Sequence, residues 1–188
     1  TFFNSTTGTI TPATLSLTGI TAANKVYDGT TAATVNFGSA ALAGVLGTDV
    51  VTLNTTLASA TFSNKNVGNA KTVSVSGMAI SGTDASNYTF NTTASTTANI
   101  TARPLTITAT GINKVYDGLT TDTVTLADNR IAGDVLTTAY TTAAFLDKNV
   151  GTAKSVSVGG MTLSGADSGN YTFNTTASTT ANITARPI

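Results

Sequence analysis

NYTFNTTASTTANITARP, residues 87–104, stands again without a single change at residues 170–187. The duplication extends upstream: KNVG at 65–68 returns at 148–151, and KVYDG at 25–29 returns at 114–118. The late motifs are offset by 83 residues and the early one by 89, so the first copy is longer by about six residues. A self-similar period decides the architecture before any strand is drawn, because each copy must then close a core of its own. The chain reads as two tandem modules of roughly 84–90 residues, each able to bury about 60–65% of its unfolded surface. A single active site spread over the chain is not expected.

Hydrophobic residues alternate with polar ones almost everywhere outward from this stretch. Tyr88 and Phe90 flank Thr89, and Tyr171 and Phe173 flank Thr172; Leu15 and Leu17 flank Ser16; Val73 and Val75, and later Val156 and Val158, alternate with serines. Leu105, Ile107 and Ala109 alternate with threonines, as do Val124 and Leu126. A period of two marks half-buried strands. Threonine on the wet face suits the pleat because it is β-branched. Asp28-Gly29, Asp117-Gly118, the two Asn-Val-Gly steps, and the segments at 82–84 and 165–167 are turn signals between the strands. Residues 94–98 are alanine-rich, but their threonines favour strand over a helical turn. The spacing predicts all-β modules, most simply two Ig-like β-sandwiches of roughly seven strands each, arranged end to end. A β-grasp module is the alternative fold. A parallel β-helix would need rungs of roughly 20–30 residues, and no such period runs inside the repeat.

Composition narrows the function. There is no cysteine, histidine, tryptophan, glutamate or glutamine among the 188 residues, and threonine occupies more than forty positions. Disulfides and thiolate metal sites are therefore excluded, as are Ser-His-Asp and Cys-His catalytic sets. Charged residues make up 10% of the chain, nine basic against nine acidic. A nucleic-acid binder needs a basic stripe and a peripheral membrane protein a polybasic patch; neither is present, and no apolar run reaches the roughly 18–20 residues of a membrane span. Paired carboxylates for glycoside chemistry remain formally available among nine aspartates, but each lies near a turn signal. No enzyme activity and no cofactor is expected. Abundant Thr, Ser and Asn with little charge points to an extracellular β-protein.

The boundary between copies is short. Ile100-Thr-Ala-Arg-Pro-Leu105 runs from the last strand of one copy into the first of the next, and Pro104 restricts the backbone there. The expected division is a remnant of a preceding repeat at 1–13, module 1 at 14–103 and module 2 at 104–188. Both ends read as cuts through a longer array.

The ordered set KVYDGTT (25–31), GTDV (47–50), F-x-x-KNVG-x-AK-x-V-x-V (62–75) and SG-x-D-x-x-NYTF (81–90), with its second copy at 114–118, 133–137, 145–158 and 164–173, resembles the YDG repeat. That repeat is related to the MBG repeats of large bacterial surface proteins. The second copy departs at Leu119, where the first has Thr30, and lacks part of the 37–47 segment. The resemblance implies a stalk or spacer of an exported, filamentous-haemagglutinin-like adhesin on the bacterial cell surface. Such a stalk would be monomeric, would have neighbouring repeats as its partners, and would leave any host or matrix ligand to other regions. It implies no catalytic residues. The motif residues are Lys25, Tyr27, Asp28 and Gly29, their copies Lys114, Tyr116, Asp117 and Gly118, and the pairs Asn87-Tyr88 and Asn170-Tyr171.

Several of these residues admit a chemical role beside a structural one. Lys25 and Lys114 could form an amide crosslink to Asn87 or Asn91, helped by a buried carboxylic acid; the alternative is a buried tyrosine, an Asp-Gly turn, and a lysine solvated or paired with a carboxylate. Asp84 and Asn87, with Asp167 and Asn170, could offer oxygens to calcium, although calcium wants six to eight ligands; a turn closed by its own Asp or Asn is the simpler reading. Asn-x-Ser/Thr occurs at Asn4, Asn54, Asn87, Asn91, Asn99, Asn170, Asn174 and Asn182, as chance predicts in such a composition, and could carry sugar. Thr-x-Thr runs such as 106–110 are too short for an ice-binding face. If the chain binds a carbohydrate or host protein directly, Tyr140, which has no counterpart in the first copy, is the aromatic best placed to be exposed. Identical neighbours risk mispairing, so shortened or covered edge strands are expected.

Overall fold

The computed structural model describes residues 8–188. Residues 1–7, which include the Asn4 sequon and half of the expected remnant, lie outside the described residues. The first copy forms β1 (Ala13–Thr18), β2 (Thr21–Ala22), β3 (Lys25–Val26), β4 (Val35–Asn36), β5 (Ala41–Ala43), β6 (Thr52–Asn54), β7 (Ser59–Phe62), β8 (Gly68–Ser76), β9 (Ala79–Ser81), β10 (Tyr88–Phe90) and β11 (Ala94–Thr101). The second forms β12 (Arg103–Leu105), β13 (Ile107–Gly111), β14 (Lys114–Val115), β15 (Val124–Asp128), β16 (Thr137–Ala139), β17 (Thr142–Phe145), β18 (Gly151–Gly159), β19 (Thr162–Ser164), β20 (Tyr171–Phe173) and β21 (Thr176–Thr184). The fold is all-β. Among the described residues the only helical pieces are single 3₁₀ turns at Ala85–Asn87 and Ser168–Asn170, so the helix of a β-grasp module is missing.

The strands outnumber the roughly seven per copy that the alternation predicts, because glycines and bulges cut the ladders into short runs. In each copy a four-stranded sheet carries the long strands, in the order β3-β11-β8-β7 and β14-β21-β18-β17. Both edges are short, two residues at β3 and β14 and four at β7 and β17, which limits edge-to-edge pairing. The first strand lies parallel to a late one: β1 beside β10, with Ala13 opposite Tyr88, and β12 beside β20, with Arg103 opposite Tyr171. Residues 94–98 fall in strand β11, paired antiparallel to β8.

The described residues divide into two compact units: 8–25 with 30–100, and 26–29 with 101–188. The tetrapeptide Val26–Gly29 thus belongs to the second unit although it is encoded in the first copy. The core of the first unit is Leu15, Phe62, Val73, Val75, Met78, Tyr88, Ala98 and Ile100. In the second, Leu105, Ile107, Phe145, Val156, Val158, Met161, Tyr171, Ala181 and Ile183 are buried together with Tyr27, which is 0% exposed. Strand β13 packs over β21 at Gly111, where a Cβ would stand 2.6 Å from the Thr180 carbonyl oxygen. Only glycine permits that approach.

Both long β8–β11 type ladders carry the same irregularity. Register slips between Ala98 and Ile100 and between Gly151 and Lys154. Ala70 and Ala153 take positive φ, 47° and 48°, which costs an L-residue about 1–2 kcal/mol. Each is held by an asparagine: Ala70 N–H donates to Asn99 Oδ1 and Ala153 N–H to Asn182 Oδ1, both at 2.7 Å. The Asn99 and Asn182 N–H groups donate in turn to Asn24 and Asn113 Oδ1, again at 2.7 Å.

Candidate functional site

The most distinctive polar group of each unit is a tyrosine hydroxyl set between a backbone donor and a carboxylate. In the first unit Leu46 N–H donates to Tyr88 Oη at 2.9 Å, and Tyr88 Oη–H donates to Asp49 Oδ2 at 2.7 Å. In the second, Ile131 N–H donates to Tyr171 Oη at 3.0 Å, and Tyr171 Oη–H donates to Asp134 Oδ2 at 2.6 Å. The loop bearing the carboxylate is closed identically in both, Asp49 N–H to Leu46 O and Asp134 N–H to Ile131 O, each 3.1 Å. The bond to Asp49 raises the Tyr88 phenol above its usual 10; burial and the Asp134 bond push Tyr171 up to about 12.

The second unit adds a third member. Tyr27 Oη–H donates to Asp134 Oδ1 at 3.0 Å, and the Tyr27 and Tyr171 rings meet edge to face at 5.5 Å and 74°, a favoured aromatic geometry. Asp134 therefore accepts one phenol on each oxygen and is itself buried. Gly29 takes φ +78° beside Ile131, whose Cγ2 lies 3.3 Å from where a Cβ would be.

The neighbouring carboxylates are also spent on backbone. Asp84 Oδ2 accepts from Val50 N–H at 2.7 Å and Asp167 Oδ2 from Val135 N–H at 2.9 Å. The expected local Asx cap is corrected here: neither aspartate caps its own 3₁₀ turn, and both reach across to the Asp49 or Asp134 loop instead. Asn87 and Asn170 close those turns by N–H bonds to Asp84 O and Asp167 O, 3.0 Å each. Among the described residues no group of three or more acidic, His or Cys side chains could hold a metal ion.

The KVYDG lysines are anchored to their own loops. Lys25 Nζ donates to Thr30 O at 2.8 Å and Ala32 O at 2.9 Å and stands over the Phe62 ring. Lys114 Nζ donates to Leu119 O, to Thr121 O and to Asp117 Oδ1, the last at 2.9 Å, over the Phe145 ring. That bond and the Leu119 N–H hold the Asp117 carboxyl below its ordinary range, the N–H contributing most. Asn91 Oδ1 accepts from Thr93 N–H and Oγ1–H. Of the other sequons, Asn170 is buried and the Asn174 amide donates to Ile107 O and Thr176 O. Tyr140, expected to be exposed, is half-buried, its hydroxyl accepting from Val124 N–H at 3.2 Å.

A family model for the YDG domain matches residues 11–98 and again residues 101–181. The chain belongs to the YDG domain family. Neither the curated proteins nor the solved structures yielded a match. The two YDG domains differ at the site just described: Tyr116, the counterpart of Tyr27, is only half-buried, and Gly118, the counterpart of Gly29, meets nothing within 4 Å of a Cβ position. The sequence motifs singled out all three tyrosines of the site, Tyr27, Tyr88 and Tyr171, but not Asp49 and Asp134. Their signal was present, an aspartate three residues after an apolar one in the GTD and AGD steps, but nothing in a single strand pattern joins it to a tyrosine 37 or 39 residues on.

Proposed function

We propose that these YDG domains are spacer repeats of a bacterial surface adhesin, exported to the cell surface, where they project a binding region outward. The observation that carries the reading is the tandem duplication itself: two copies share an unbroken eighteen-residue stretch and repeat the same tyrosine–aspartate bond and the same asparagine-held bulge. Repetition of an all-structural polar network sets length, not chemistry. The carboxylates of Asp49, Asp84, Asp134 and Asp167 tie loops, and Asn99 and Asn182 hold the bulges. Threonine on the wet faces of the strands supplies solubility at zero net charge. The spacer has no catalytic role, no nucleic-acid partner and no cofactor, and meets chiefly its neighbouring repeats. Direct binding of carbohydrate or a host protein is the less favoured reading, since Tyr140 is committed to the Val124 backbone.

Small-angle X-ray scattering on the chain tests this. A maximum dimension near that of two modules in line is expected. A compact particle would reject the spacer.

A further inference from the structure

The two YDG domains present the same tyrosine–aspartate loop in two states of occupancy. In the second unit Tyr27 covers it, so that Asp134 is buried and Ile131 half-buried. In the first, the matching Leu46 is 62% exposed and Asp49 half-exposed. There the loop borders a cleft of about 470 Å³ lined by Ile10, Pro12, Leu46, Asp49, Ser86 and Tyr88. Asp49 Oδ2 is taken by Tyr88; no donor among the described residues reaches Oδ1, the oxygen that in Asp134 receives the Tyr27 phenol. The chain also carries the complementary part unused: Tyr116 half-exposed, followed by Gly118 at φ +83° in open space.

We propose that the Leu46–Asp49–Tyr88 cleft is a socket for the Tyr-Asp-Gly loop of another copy of this module, and that Tyr116 is the free plug for the socket of a further copy. The occupied loop of the second unit identifies the occupant. The plug must offer a phenol O–H to the open carboxylate oxygen, a flat ring to the edge of Tyr88, and a glycine two residues later, so that the turn passes over Leu46 as Gly29 passes over Ile131. KVYDG meets all three conditions. The inference goes beyond the spacer reading and does not rest on it, because the socket is defined inside one unit.

The absence of cysteine makes disulfide trapping clean. A control chain with Gly29→Cys and Ile131→Cys should close an internal disulfide, since the two positions are within bonding reach. The full chain with Gly118→Cys, mixed at high concentration with the full chain with Leu46→Cys and oxidised, should give the mixed dimer several-fold over either homodimer. Adding Tyr116→Ala to the first chain, or Asp49→Ala to the second, should remove that excess. Mixed and homodimers in statistical ratio, with the control disulfide formed, would overturn the proposal, as would a mixed excess that survives Tyr116→Ala. Scattering on the unlinked chain reads the spacer hypothesis separately.

Discussion

At the scale of single residues, the Tyr171 phenol is the group whose ionisation the fold opposes most visibly. Its ordinary value is 10 and its folded value is about 12, through burial and the Asp134 bond. Between these the unfolded chain releases the proton while the folded chain keeps it, so the folded state binds more protons and loses stability as pH rises. The contribution is whole below pH 10 and is lost as pH passes 12. The thermal midpoint of the second unit should therefore fall across pH 10–12 in the native chain, and Tyr171→Phe should flatten that fall, as followed by circular dichroism. A native curve already flat over that range would reject the account. Which tyrosines are buried was legible from alternation at Tyr88 and Tyr171; what each hydroxyl bonds to was not, because its partner sits on a loop whose course depends on the whole copy.

At the scale of elements, the bulge in β18 rests on one asparagine. Asn182 Oδ1 holds Ala153 at φ 48° against its own preference. Asn182→Ala removes that bond and leaves the exposed Ala153 N–H to water, and should cost about 0.5–1.5 kcal/mol in a chemical denaturation curve. Ala153→Gly relieves the strain and should stabilise by up to about 1 kcal/mol. If Ala153→Gly destabilises instead, the positive φ is not the strained element. Two of the long strands could be read from period two, since β8 and β18 fall where valine alternates with serine, and β11 was legible at residues 94–98 from its threonines. The bulges could not, since Ala70 and Ala153 look like ordinary strand alanines and only a three-dimensional neighbour asks for positive φ. The same holds for the interrupted ladders, where glycines such as Gly111 mark close approaches that no local pattern announces.

At the scale of the molecule, the repeat announced two modules, and two compact units are what the chain forms. Their division at 26–29 could not be seen in the sequence, because a motif's place in the repeat does not say which core receives its side chain. It has a measurable consequence. Residues 101–188 alone lack Tyr27, and the Asp134 carboxylate loses one of its two phenols. That shortened chain should unfold at a lower temperature than the second unit of the full chain, and Tyr27→Ala in the full chain should reproduce much of the loss, about 3–5 kcal/mol for a buried aromatic removed. Equal melting of the shortened chain and the intact second unit would show that Tyr27 contributes little. The tetrapeptide also bears on biosynthesis. The ribosome delivers Tyr27 long before its carboxylate partner, which follows 107 positions later, so that ring waits without its partner until those residues are made. The nascent polypeptide thus reaches its final form only in retrospect, when late-made residues draw an early-made one out of solvent.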